Sequence, residues 1–147
     1  MRSSPLIALA LVLALPASSI AGDVLYFARP EVEAAFAKGK PLTETALYKV
    51  HASRRDAAGV GEVHATDTDI LYVLSGQATL VTGGELVEPR EVAPNELRGE
   101  RIAGGTAREI GPGDVIVVPS GTPHWFKAVR GPVTYYVVKA TDAGAAR

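Results

Sequence analysis

Turn residues recur along this chain at intervals near ten, and they cut everything after residue 45 into runs too short for a helix. The dividers are Gly59, Gly76, Gly83-Gly84, Gly104-Gly105, Gly111-Pro112-Gly113 and Gly131-Pro132. Glycine adopts backbone angles closed to other residues and proline has no N–H to donate, so such clusters end ladders and turn the chain. Between them lie β-branched and aromatic runs at 46–53, 60–64, 70–74, 78–82, 115–118, 124–129 and 133–139, with a weaker pair near 97–102 and 107–110. Strands this short and this numerous predict an all-β sandwich or closed barrel in a single domain. The segment 87–95, with two prolines and mixed charge, reads as a surface excursion between two halves.

One helix precedes the strands. Pro30 suits a first helical position, Glu31 and Glu33 favour the positive end of the helix, and Val32 with Phe36 makes an i, i+4 apolar pair. Gly39 then stops it, giving a helix over 30–38. Residues 22–27 read as a short edge strand.

The first 21 residues look like an address. Arg2 supplies a positive charge, residues 6–15 are unbroken apolar, and Ser19-Ile20-Ala21 has the small-x-small pattern of a cleavage site. Ten apolar residues fall short of the ~20 needed to cross a bilayer. The expectation is a cleaved secretory signal over 1–21, a mature domain over 22–147, a secreted or periplasmic location and no membrane association after cleavage.

Composition narrows the function classes. Fifteen basic residues meet sixteen acidic ones in 147, with no basic stripe, so nucleic acid is not an expected partner. The absence of cysteine excludes a disulfide framework, a zinc-finger site and a thiol nucleophile together. No serine-histidine-aspartate order or phosphate loop is present, and no catalytic residue is assigned.

The most specific stretch is GDVIVVPSGTPHWF, Gly113 to Phe126. It reads as a turn, a buried strand at 115–118, a second tight turn at Pro119 to Gly121, and a strand that opens on His124. Glycine, proline, glycine and histidine at this spacing resemble the second motif of the cupin superfamily, in which the histidine is usually a metal ligand. Ala128 stands where the family often has asparagine. The first motif is histidine, any residue, histidine, three or four residues, glutamate, six residues, glycine. Aligned on Gly76, it places Asp69 at the glutamate, His64 at the second histidine and Glu62 at the first. Two of its three ligands therefore differ from the pattern, and the chain is similar to small single-domain secreted cupins that read E-x-H followed by T-D. The resemblance covers about residues 49–139. It implies a double-stranded β-helix, or jelly-roll barrel, with one short N-terminal helix, and one divalent metal held by Glu62, His64, Asp69 and His124. It also implies a small-molecule ligand inside the barrel and pairing into homodimers, for which an edge strand at 22–27 would supply unpaired backbone groups.

The residue chemistry can be weighed separately. Glu62 and His64 lie two apart and share a strand face. Asp69 has opposite parity and joins them only if residues 66–68 make a turn or bulge; Asp67 is the alternative. Two imidazoles and two carboxylates suit Fe(II), Mn(II), Ni(II) or Zn(II). Two carboxylates would neutralise a divalent cation, which weakens attraction for anions and favours ligand binding over hydrolysis. Glu62, if not a ligand, would suit a general base isolated by burial. His51 alternates with Lys49 and Ser53 and reads as solvent-facing. Arg54 and Arg55 read either as solvated charges or as an anion clamp at a cavity mouth. By parity with His124, Phe126 points inward and Trp125 outward. Tyr72, Tyr135 and Tyr136 read as core or interface aromatics. Three function classes remain open: a metal-dependent oxygenase or isomerase, a non-catalytic binding or sensing module, and a purely structural barrel.

Overall fold

A computed structural model describes residues 22–142, so the expected signal segment lies outside the described residues. The chain enters as exposed, non-repetitive backbone, with Val24 92% and Tyr26 82% accessible. Residues 22–27 are thus not a strand, which corrects the expectation: they have strand-like residue types but no neighbour to pair with among the described residues. Helix α1 (Arg29–Lys38) has Pro30 in its first turn and ends at Gly39, whose left-handed backbone (φ 59°) donates to the carbonyls of Ala35 and Phe36. That turn folds the next segment back, and β1 (Lys40–Glu44) takes the edge position beside β2 (Tyr48–Arg55).

The remaining strands are β3 (Gly61–His64), β4 (Asp67–Thr82), β5 (Glu85–Leu86), β6 (Arg90–Ala93), β7 (Glu96–Gly99), β8 (Ile102–Ala103), β9 (Thr106–Ile110), β10 (Val115–Val118) and β11 (His124–Thr141). Among the described residues, nine of the eleven strands, β1 and β2 included, form one curled sheet and β5 pairs with β8 separately, giving the expected all-β jelly roll with one short helix. The stretch 87–95 is less of an excursion than its prolines imply, because β6 extends the sheet beside β7 and β7 pairs with β3.

Two pairs of expected strands are single bent strands. The runs at 70–74 and 78–82 join as β4, and those at 124–129 and 133–139 join as β11. The two pair antiparallel along their lengths, and their register shifts between Arg130 and Thr134. Gly76 (φ 76°) and Gly131 (φ 72°) take positive backbone angles at this corner, so each glycine bends its strand where a turn was expected.

Side-chain alternation sorts the faces. Leu71, Val73, Ala78, Leu80, Ile110, Val118, Phe126, Val133, Tyr135 and Val137 form one buried cluster. Phe126 stacks on Tyr135 with ring centroids 5.2 Å apart. Trp125 faces outward, and its indole N–H donates to the Gly59 carbonyl at 2.8 Å. Helix α1 covers the outer face of β2 and β11, where Phe36 meets Tyr136 edge-on at 4.9 Å. Ala52 is fully buried on that face. The outer face of β4 and β10 is different. Val115 and Val117 are more than half exposed beside Ile70, Tyr72 and Leu74, which corrects the expectation of a buried strand at 115–118: only Val118 is buried, because nothing among the described residues covers the outer face. Among the described residues, β10 pairs with β4 alone.

Candidate functional site

Strand pairing brings the two sequence motifs together. His124, the first residue of β11, lies directly across from Glu62 of β3. The loop before β11 is tied to the same place, since the Gly121 N–H donates to the His64 carbonyl at 2.8 Å. Glu62 and His64 share a face as their spacing requires, and Val63 between them is buried on the other side. Donor atoms of Glu62, His64 and His124 all lie within 4.8 Å of one another. The imidazole centroids of His64 and His124 are 5.1 Å apart. His124 Nδ1 sits 3.1 Å from the Thr122 carbonyl, which fixes Nδ1 as the donor and leaves Nε2 free to coordinate.

Asp69 adjoins this cluster. A bend at Ala65 and Thr66, held by the Ala65 N–H on the Asn95 carbonyl, resets the alternation. Asp67, Asp69, Leu71 and Val73 then all bury their side chains. Asp69 Oδ2 is 3.5 Å from His64 Nε2 and 3.8 Å from His124 Nε2. The sequence did not signal its main partner: Lys139 lies directly opposite on β11, and its ammonium donates to both Asp69 oxygens at 2.8 Å. Asp67 is taken up by Lys49 and by the Thr141 hydroxyl, which makes it a structural neighbour of the cluster.

The surroundings correct two expectations. Lys49, His51, Ser53 and Arg55 do not face solvent; they line a cavity of about 410 Å³ together with the cluster. A polar strand face and a solvated one look alike in sequence, and here the polar face looks into the barrel. His51 Nε2 meets the exposed Glu44 carboxylate at 2.8 Å. Arg54 and Arg55 also part company. Arg54 turns outward to Asp56, while Arg55 turns inward over the Phe126 ring, 4.6 Å from its centroid. Arg55 and Arg98 stand 3.7 and 3.5 Å from the Glu62 carboxylate, surroundings that do not match a base isolated by burial. Charges beyond the two carboxylates counted in the sequence also surround the cluster: Lys139 offsets Asp69, and Arg55 and Arg98 flank Glu62.

Burial, reinforced by the nearby Lys139 charge, holds the His64 imidazole below its ordinary 6.5 against the opposing pull of Asp69. The unfolded chain therefore takes up this proton at higher pH than the folded chain does. This contribution to stability is present above ~6.5 and is lost as pH falls from there through the lower folded value. Melting of metal-free protein between pH 7 and 5 should show a falling midpoint, with a shallower slope for His64→Gln. Asp67 acts in a separate window. Burial raises it, but the hydrogen bonds from Lys49 and Thr141 outweigh that and hold it below the usual carboxylate range, so its contribution is lost only in stronger acid.

A cupin family model matches residues 47–147, and the chain belongs to the cupin family. A search of curated proteins finds no match. Among solved structures, a protein of Bacillus halodurans is similar at 17% identity and TM-score 0.57, over 82% of this chain and 83% of that one. A double-stranded β-helix protein of Klebsiella pneumoniae is 17% identical, with TM-score 0.53 over 82% of this chain and 93% of its own length. DMSP lyase DddQ of Ruegeria pomeroyi is 20% identical with TM-score 0.48; 68% of this chain is covered, but it spans only 41% of that protein. With the first two, at 17% identity, the shared property is the fold.

Proposed function

We propose that this cupin is an exported metal-dependent enzyme, of the oxygenase or isomerase kind, acting on a small molecule inside the barrel. The observation that carries the reading is the convergence of Glu62, His64 and His124 from two paired strands. Two imidazoles and one carboxylate on one side of a cavity form the donor set used for divalent transition metals, with coordination positions left for substrate; open sites of this type favour Fe(II). When bound, the metal supplies a Lewis acid and, if iron, a centre for oxygen chemistry. Asp69 is the fourth residue of the set, and Lys139 competes for its oxygens. Asp69→Asn should therefore weaken metal binding less than Glu62→Gln.

Metal analysis of protein purified without chelator tests the reading, followed by oxygen consumption in the Fe(II)-loaded form. About one equivalent of a transition metal supports it; a metal-free protein that takes up none refutes it. Export rests on the charged, apolar and small-residue pattern of the first 21 residues. Mass spectrometry of protein from a native-like host should find an N-terminus at or near Gly22, and intact Met1 in a cytosolic fraction would contradict export. Self-association finds its support at β10, where Val115 and Val117 are exposed beside an edge that pairs with β4 alone among the described residues. Light scattering at micromolar concentration should give a dimer mass.

A further inference from the structure

We infer that the molecule taken into the cavity is a small organic carboxylate, and that Arg55 is the residue that holds its carboxylate group. The inference deepens the proposed function and rests on it for the role of the metal, but its structural basis is separate.

Arg55 sits in a built slot. Its guanidinium lies over the Phe126 ring, 4.6 Å from the centroid. On another side it lies close to Gly59, where an added Cβ would come within 2.5 Å of Nη1, so any side chain there would make the guanidinium shift. Gly59 is itself fixed, because its N–H donates to the Phe126 carbonyl at 2.9 Å. Arg55 Nε donates to the Tyr135 hydroxyl at 3.1 Å. The ring contact and that hydrogen bond hold the guanidinium from its ring-side face and from Nε. Nη2 is 3.7 Å from Glu62 Oε2, beyond hydrogen-bond distance, and Glu62 is shared with Arg98 and with the metal cluster.

A planar fork pairs bidentately with two oxygens of an anionic group, which a neutral hydroxyl compound cannot offer, and the apolar surface beside it favours the carboxylate of a carbon skeleton over a bare phosphate. The other charges near the cluster have close partners of their own, Lys139 on Asp69, Lys49 on Asp67 and Arg98 on Glu96. Leu71 and Val137 also line the cavity and offer apolar surface to a short carbon skeleton, and about 410 Å³ suits a molecule of that size. A divalent cation beside Glu62 would add positive charge close to the bound anion, so metal and carboxylate should bind with positive coupling.

The test is titration calorimetry with pyruvate, lactate, succinate and benzoate, and with their amides, against Zn(II)-loaded and EDTA-treated protein. Wild type should bind at least one of the acids, more tightly with Zn(II), and should bind its amide about tenfold more weakly or not at all. Arg55→Gln should lose about tenfold or more in affinity for that acid while keeping its Zn(II), and Arg54→Gln should behave as wild type. Should Arg55→Gln fail to fold, Arg55→Lys carries the test, because it keeps the charge and loses the fork; a clear loss of affinity is again expected. Undiminished acid binding by the Arg55 variant, equal binding of the amides, or no binding by any of the four acids overturns the inference. Arg55-dependent acid binding in a protein that takes up no Zn(II) would sink the metal reading and leave this one standing.

Discussion

The double variant His64→Ala/His124→Ala should come off purification with little divalent metal, where wild type carries about one ion per chain. Both imidazoles come from strand positions that fold to one point, across the His124–Glu62 pair. Removing them leaves only carboxylates, of which Glu62 faces Arg55 and Arg98 and Asp69 is bonded to Lys139. A ligand that binds only the folded state stabilises it by ~2.7 kcal/mol at a hundred times its dissociation constant. Wild type should therefore melt several degrees higher with saturating Zn(II) than with EDTA, and the double variant should melt at the same temperature in both. His51→Ala is the control. His51 lines the same cavity but pairs with Glu44, so its loss should leave the stoichiometry unchanged.

Gly76→Ala should be among the most damaging small substitutions in the barrel. An alanine Cβ there would lie 2.3 Å from the Pro132 carbonyl oxygen and 2.9 Å from the Val133 Cα, both backbone atoms of the paired strand. A flexible side chain can move aside, but a backbone in the middle of a ladder cannot. The residue also sits at φ 76°, which costs an L-residue on its own account. The clash falls where β4 and β11 bend together, next to fully buried Val133. A loss of roughly 3–5 kcal/mol is expected, enough to unfold a marginal domain. Gly121→Ala is the comparison. Its φ is 75°, but no atom comes within 4 Å of an added Cβ. It should cost only the backbone term, about 1 kcal/mol. Chemical denaturation of the two variants side by side separates strain from collision, and equal losses would show the corner to be more pliant than its contacts imply.

The sequence was most legible where local chemistry decides structure. Gly39 stops α1 through a left-handed turn that few other residues accept, and β-branched Val115 to Val118 form the strand their types demand. His64 and His124 were legible because two motifs at fixed spacing marked them. The departures came where a neighbour decides. Gly76 and Gly131 read as turns but serve as bends inside long strands, because the partner strand bends with them. Residues 22–27 carry strand-forming types and pair with nothing among the described residues. Lys49, His51 and Arg55 alternate as a solvated face does, and only closure of the barrel shows that the polar side is the inside. Lys139 could not have been linked to Asp69 from spacing, since 70 residues separate them and only the β4–β11 register sets them opposite. That register also sets a lysine charge against Asp69, which a count of the two carboxylates alone leaves out.

Anomalous diffraction at the zinc edge, from crystals of Zn(II)-loaded protein, tests the central claim most directly. One strong peak is predicted inside the barrel, at ~2.0–2.2 Å from Nε2 of His64, Nε2 of His124 and a carboxylate oxygen of Glu62. A barrel with no peak, or a peak bound elsewhere with these three side chains unchanged, would contradict it.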